Sequence, residues 1–307
     1  MKANKEIRAE AWGLLWREGW FMRLLAAGVI LSVVMIGALL GLYFAYKALG
    51  VESLSDFQRA KLNAAGAGLN FTAPSSEASM RMWLGSLFQN FIQHLFSGIV
   101  MLGMVSVLLK AVRRDATGWF ASAFGGFQMP FSAFWLWFRV QFQTALWMLM
   151  TLVPTMVVVS VVLNVLGFAP TSPGGLLVIF LGCLPAALVF LWVLYRYQLA
   201  WFLKAEHPDW RAGRCISRSV ELMNGLKSRA VSLDCSYWLW ILLMIPFLVP
   251  NFLLGYAIAT DSFDSLSTLQ LAMGGVSLLL SVTLGMVVYW YIALGHAIFY
   301  REIPQES

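Results

Sequence analysis

The polar side chains with the most suggestive spacing are four that share an apolar stretch: Asn90, Gln93, His94 and Ser97. Offsets of three, four and seven residues place them on one face of a helix. Such a face could line an outward-facing polar cavity through which a small molecule or a lipid passes. It could equally make ordinary hydrogen bonds between helices, which is the simpler interpretation, and both remain open.

A second group of candidates consists of charged residues that border two apolar stretches. Four basic side chains could contact anionic lipid headgroups or a partner protein, or could serve only to orient the chain: Arg214, Arg218, Lys227 and Arg229. Asp234 could pair with Arg196 or with Arg229 as a structural lock. Alternatively, Arg196 extends to the headgroups and Asp234 caps a helix.

The sequence offers no set of residues typical of an enzyme. It contains no H-E-x-x-H, G-x-S-x-G or P-loop pattern, and its three histidines are far apart. Its three cysteines have no C-x-x-C spacing, which argues against a structural zinc site. We therefore expect a protein without enzymatic activity or cofactor. The dispersed basic residues give no indication of nucleic-acid binding.

The elements that carry these residues are six long apolar stretches. The chain of 307 residues is 60% hydrophobic and 12% charged, whereas soluble domains carry about 25% charged residues. Each stretch reaches the roughly 20 residues that a helix needs to cross a bilayer. They lie at about 24–46, 83–109, 140–163, 174–203, 233–259 and 274–300. This pattern predicts an all-α, polytopic membrane protein with six transmembrane helices.

The distribution of lysine and arginine predicts the orientation of these helices. With the N-terminus in the cytoplasm, four of the 21 basic residues lie outside: Lys47, Arg59, Lys61 and Arg81. Both termini are then cytoplasmic, and residues 48–81 form the largest external loop. The formal net charge of +6 is explained by this topology and by contact of the basic side with anionic inner-leaflet lipids.

Short amphipathic stretches precede the predicted hairpins at 5–18, 115–127 and 215–238. Glycines that could end them lie about a hundred residues apart, at Gly19, at Gly125 or Gly126, and at Gly225. We predict three elbow helices on the cytoplasmic face of a single transmembrane domain, 1–307. Each elbow and its hairpin would form one of three degenerate repeats, at about 1–110, 111–204 and 205–307. Alternatively, border helices of this kind arise independently.

Several short motifs resemble an uncharacterised bacterial family of multi-span integral membrane proteins, catalogued as domain of unknown function 975. They are YRYQLAW at Tyr195, EHP at Glu206, SVELMNG at Ser219, LDCSYWLW at Leu233 and AIFYREI at Ala297. The chain departs from the family pattern at Leu239, where a glycine is expected. The resemblance implies a multi-pass protein of the bacterial cytoplasmic membrane, and it supplies no activity or catalytic residues.

These observations favour a non-enzymatic integral membrane protein that acts as a scaffold, an accessory subunit or a membrane organiser. Its expected partners are the bilayer, anionic inner-leaflet lipids, and a membrane or cytoplasmic protein. The alternative is a transporter or channel for a lipid or another small molecule, which would use the polar face around Gln93 and His94.

Overall fold

The computed structural model describes residues 2–16, 18–48, 76–169, 172–240, 242–243 and 268–304. Every regular element in these ranges is an α-helix, in agreement with the predicted all-α class. In chain order the helices are α1 Asn4–Trp16, α2 Trp20–Ala48, α3 Ser76–Val112, α4 Trp119–Ala123, α5 Gly125–Gln128, α6 Pro130–Leu166, α7 Pro173–Tyr197, α8 Ala200–Glu206, α9 Ala212–Leu222, α10 Lys227–Cys235 and α11 Thr268–Arg301.

Five helical segments in the described residues are long and apolar enough to cross a membrane. They are Trp20–Ala38, Phe91–Val112, Pro130–Leu166, Pro173–Glu206 and Leu280–Arg301. Helices of this length and composition indicate a multi-pass membrane protein. The predicted span 233–259 lies mostly outside the described residues. Helix α3 begins at Ser76, within the predicted loop 48–81, and the part of that loop from 49 to 75 also lies outside them.

The buried core of the described residues lies at one end of the helices. In the most apolar stretch of α6 only 6% of the residues are buried within the protein. In the most apolar stretch of the segment that contains α7, 11% of the residues are buried. The fully buried large side chains include Trp20, Tyr237 and Tyr300, which lie where helix ends meet. We call this end the collar: α1, α4, α5, α8, α9, α10 and residues 301–304, with the helix ends that they contact.

Helix α3 connects the collar to the bundle, because it packs against α2, α4, α5, α6, α8 and α11. The close approach depends on glycine. A Cβ atom on Gly103 would overlap the carbonyl oxygen of Ala123, and a Cβ atom on Gly126 would overlap that of Ile99. Small residues let helix backbones approach closely in this way.

The predicted glycine breaks have two different physical roles. Gly19, between α1 and α2, and Gly225, between α9 and α10, have φ angles of 70° and 81°. Glycine adopts this left-handed conformation without steric cost, as the prediction of helix breaks requires. The break predicted at Gly125 or Gly126 lies one residue earlier, at Phe124, between the end of α4 at Ala123 and the start of α5 at Gly125. Gly126 has a different role, because its close contact with α3 requires a small residue.

We expect Gly103→Ala to lower the thermal stability of the detergent-solubilised protein, because the added methyl group overlaps the α4 backbone. Overpacking of this kind costs about 1–3 kcal/mol. Gly13→Ala is the matched control, since a Cβ atom on this helical glycine meets nothing within 4 Å. Thermal unfolding followed by tryptophan fluorescence measures both variants. Equal melting temperatures for the two would contradict the close packing of α3.

Candidate functional site

Four charged side chains in the collar join the two ends of the described chain. The Lys2 ammonium group lies 2.9 Å from Glu10 and 3.1 Å from Glu302. The Arg301 guanidinium group lies 2.9 Å from Glu10 and 3.5 Å from Glu302. Each cation therefore contacts both carboxylates, and α1 is attached to the end of α11.

The pKa values in this network shift in the directions that keep all partners charged. Hydrogen bonds to Glu10 and Glu302 raise the pKa of Lys2. The hydrogen bond from Lys2 lowers the pKa of Glu302. Burial alone would raise the pKa of Glu10, but hydrogen bonds from Lys2 and Arg301 outweigh it and lower the pKa. The attraction is thus present over the whole range between the ordinary pKa values of a carboxyl and an amine.

Helix α10 is attached to the same N-terminal segment by three hydrogen bonds. The amide of Asn4 donates to the Ser232 hydroxyl at 2.9 Å, and Arg8 donates to the Ser236 carbonyl at 2.7 Å. Arg229 donates to the backbone carbonyl of Lys2. The basic segment that follows Gly225 is therefore fixed against α1.

Asp234 is the centre of a polar chain that links three parts of the fold. Its Oδ2 atom accepts a hydrogen bond of 2.5 Å from the Tyr195 hydroxyl at the end of α7, and its Oδ1 atom contacts Nε2 of His296 in α11. The amide of Gln198 contacts the other ring nitrogen of His296 at 2.7 Å. In the tautomer that carries its proton on Nε2, His296 donates to Asp234 and accepts from Gln198.

Asp234 thus has other partners than the two arginines that the sequence suggests. Arg196, the next residue after Tyr195, points to a different place: its Cζ atom lies 5.0 Å from the ring centroid of Trp192 and 5.9 Å from that of Tyr197. The other predicted partner, Arg229, binds the carbonyl of Lys2. Asp234 does connect helix ends, as the idea of a lock requires, but through a tyrosine and a histidine.

The four predicted basic residues do not form one cluster. Arg218 pairs with Glu221 at 3.1 Å within α9, and Arg229 is held by the N-terminal backbone. Arg214 lies over the ring of Trp210, with its Cζ atom 4.2 Å from the centroid. Of the four, only Lys227 shares a contact with another predicted site residue, Arg196. Its Nζ atom lies 4.4 Å from the centroid of the Trp192 ring, and Arg196 contacts the same ring.

The predicted polar face of the second apolar stretch makes local contacts. The Ser97 hydroxyl donates to the carbonyl of Gln93 one turn earlier in α3, at 2.8 Å. The ring of His94 stacks on Trp137 of α6, with centroids 4.1 Å apart. Gln93 is exposed, and the side chain of Asn90 lies outside the described part of the chain. Ser97 thus bonds within its own helix and His94 stacks on the neighbouring one, and neither contact is a hydrogen bond between helices.

A cavity of about 430 Å³ lies at the collar, where α3, α8 and α11 end. Its polar lining includes Glu206, which accepts a hydrogen bond of 2.6 Å from Tyr300 and pairs with Arg113. Arg301 lines it as well and donates to the carbonyl of Val112 at 3.1 Å. The charged groups that line this cavity are thus engaged with one another and with the backbone.

The sequence interpretation missed the importance of Trp192, Tyr195 and Gln198. These residues flank Arg196 and lie at the same end of the predicted span. The predicted topology also brings His296 and Asp234 to that end, so a polar chain between them could have been proposed. What sequence spacing cannot supply is the rotation of each helix, which decides which side chains meet.

The described residues contain no group of three histidine, cysteine or acidic side chains that could hold a metal ion. The three cysteines are free: Cys183, Cys215 and Cys235. The polar chain at Asp234 can transfer or hold a proton through hydrogen bonds, and in this position it mainly connects helices. The described residues around Asp234 therefore form polar contacts between helix ends.

Comparison with protein-family models, with curated proteins and with solved structures finds no match for this chain. The fold and the composition therefore define a class, the multi-pass helical membrane protein, and the resemblance to domain of unknown function 975 remains a prediction.

We expect Asp234→Asn to weaken the attachment of α10 to α7 and α11, because it removes the charge from two hydrogen bonds. Hydrogen bonds to charged groups contribute about 1.5–3 kcal/mol each, so we expect a loss of about 1–3 kcal/mol for this partly buried group. Thermal unfolding in detergent measures the loss.

Asp209→Asn is the control, since Asp209 is an exposed carboxylate in the turn before α9. It removes the same charge from the same region and should leave the free energy of unfolding within about 0.5 kcal/mol of the original value. A control as destabilising as Asp234→Asn would show that net charge, and not the polar chain, is responsible.

Proposed function

We propose that this chain is a non-enzymatic, multi-pass protein of the bacterial cytoplasmic membrane that acts as a scaffold and organises anionic lipid. In this proposal six helices span the membrane, and both termini and the collar lie on the cytoplasmic side. Helices α1, α4 with α5, and α9 then lie as elbows along the inner leaflet, one for each repeated hairpin.

The observation that carries the proposal is a set of cations in the collar that have no carboxylate partner among the described residues. Arg196, Arg214 and Lys227 each lie over a tryptophan ring, and none of them forms an ion pair within the described part of the chain. Tryptophan is typical of the membrane interface, and basic residues there are attracted to anionic lipid. Such cations are available for headgroups.

The rigid attachment of the collar supports the same proposal. The network of Lys2, Glu10, Arg301 and Glu302 and the hydrogen bonds between α1 and α10 hold the basic segment in one place. A cation on a fixed helix loses little conformational entropy when it binds an anion, so the collar can hold lipid headgroups at defined positions.

A transporter with an outward-facing cavity is the alternative proposal, and it has less support. The Ser97 hydroxyl donates a hydrogen bond to a carbonyl of its own helix, and the His94 ring stacks on Trp137. These two side chains are therefore already engaged within the protein and are not available to bind a substrate.

The test is the mobility of labelled lipids in giant vesicles of phosphatidylethanolamine and phosphatidylglycerol that contain the reconstituted protein. We expect the protein to slow the recovery of fluorescent phosphatidylglycerol after photobleaching more than that of fluorescent phosphatidylethanolamine. The triple variant Arg196→Gln, Arg214→Gln, Lys227→Gln should reduce this difference, because it removes three cations that lie over a tryptophan ring without an ion pair.

The control is a triple variant of cations that already have carboxylate partners in the collar: Lys110→Gln, Arg114→Gln and Arg218→Gln. It changes the net charge by the same amount and should still slow phosphatidylglycerol. Equal recovery of the two labelled lipids with the original protein would overturn the proposal. The proposal would also be overturned if both triple variants reduced the difference in recovery by the same amount.

A further inference from the structure

Two cations converge on one tryptophan ring at the border of the apolar region. The Cζ atom of Arg196, in the last turn of α7, lies 5.0 Å from the centroid of the Trp192 ring. The Nζ atom of Lys227, the first residue of α10, lies 4.4 Å from the same centroid. The other tryptophans with a cation over the ring, Trp20, Trp135 and Trp210, each have one such cation in the described residues.

This pair of cations has no compensating anion within the described part of the chain. Neither Arg196 nor Lys227 takes part in an ion pair there, and the Nε atom of Arg196 is buried without a hydrogen-bond acceptor. Arg196 also lies 5.9 Å from the centroid of the Tyr197 ring, and the ring of Trp147 packs edge-on against Trp192 at 5.4 Å. Two like charges near one ring repel each other, and a buried donor without an acceptor is costly.

The surrounding helices keep this arrangement in place. Trp147 of α6 fixes the orientation of the Trp192 ring, and the Ser219 hydroxyl of α9 donates to the backbone carbonyl of Arg196 at 3.0 Å. Lys227 is anchored two residues before Arg229, which binds the N-terminal backbone. Since no side chain caps the start of α10, the positive end of that helix adds to the potential at Lys227.

We infer that Trp192, Arg196 and Lys227 form a site for one anionic phospholipid headgroup on the collar side of the membrane. The phosphate accepts hydrogen bonds from the guanidinium and ammonium groups, and the acyl chains lie along the exposed apolar surface of α6 and α7. This inference rests on the proposed function and deepens it. It replaces a general attraction between a basic surface and anionic lipid with a defined site that holds one lipid molecule.

The test is native mass spectrometry of the detergent-solubilised protein, titrated with dioleoyl-phosphatidylglycerol, dioleoyl-phosphatidylethanolamine or inorganic phosphate. We expect one phosphatidylglycerol molecule to bind more tightly than any further one. Lys227→Gln and Arg196→Gln should each weaken this first binding step about tenfold, the usual size of a lost charge-assisted hydrogen bond. Arg23→Gln, which removes the single cation over Trp20, should leave it unchanged.

Trp192→Phe is a second, milder variant that retains an aromatic ring of weaker attraction for cations, so it should weaken binding less than either charge removal. A photoactivatable phosphatidylglycerol should label peptides that contain residues 192–196 or Lys227. The proposed site would be contradicted if phosphatidylethanolamine bound as tightly as phosphatidylglycerol, or if millimolar inorganic phosphate displaced the lipid. It would also be contradicted if Arg23→Gln weakened binding as much as Arg196→Gln or Lys227→Gln.

The failure of this inference can be told apart from the failure of the proposed function. If phosphatidylglycerol diffusion is slowed but no variant changes the first binding step, the lipid contacts are diffuse and only the defined site is wrong. If phosphatidylglycerol is neither slowed in vesicles nor bound in preference to phosphatidylethanolamine, both are wrong.

Discussion

The contact between the two ends of the described chain determines how the collar is built. Lys2 and Arg301 each face both Glu10 and Glu302, so the N-terminal helix can lie in one position against the end of α11. A single exposed ion pair contributes little, about 0–1 kcal/mol. Here four groups share their partners, and the buried face of α1, with Ile7 and Leu14, adds apolar contacts beneath them. Charge therefore selects the position that apolar burial stabilises.

The position of α1 in turn fixes the basic segment and the helix ends around it. Its side chains bind α10 through Ser232 and Ser236, and α10 carries Asp234 to Tyr195 and His296. Each of these hydrogen bonds links helices that are distant in sequence. The result is a collar with many polar contacts at one end of helices whose remaining surface is largely apolar and exposed. This division suits a protein that lies in lipid and presents a defined surface at one border.

Features that depend on neighbouring residues could be predicted from the sequence. The apolar stretches predicted long helices because backbone groups in lipid require helical hydrogen bonding, and the described helices agree. Gly19 and Gly225 were predictable because a helix that ends in a turn often needs a left-handed residue.

Features that depend on how helices rotate and pack against one another could not be predicted. Asp234 meets Tyr195 and not Arg196, although these residues are adjacent, because neighbours on a helix point in directions about 100° apart. Gly126 serves close packing, which is visible only once α3 is beside it. The two cations that contact Trp192 belong to α7 and α10, which are separated in sequence by α8 and α9. Residue spacing within one helix therefore could not show that they meet.

The most direct test of the collar is zero-length carbodiimide cross-linking of the protein in intact membranes, followed by peptide mass spectrometry. This reagent joins an amine and a carboxylate only when they are in contact. It can therefore join Lys2 to Glu302, which are in contact although they lie near opposite ends of the sequence. Lys110 and Asp115, 3.4 Å apart in one local turn, provide the internal control. We predict both cross-links. Formation of the Lys110–Asp115 product while Lys2 is joined to neither Glu302 nor Glu10 would contradict the collar.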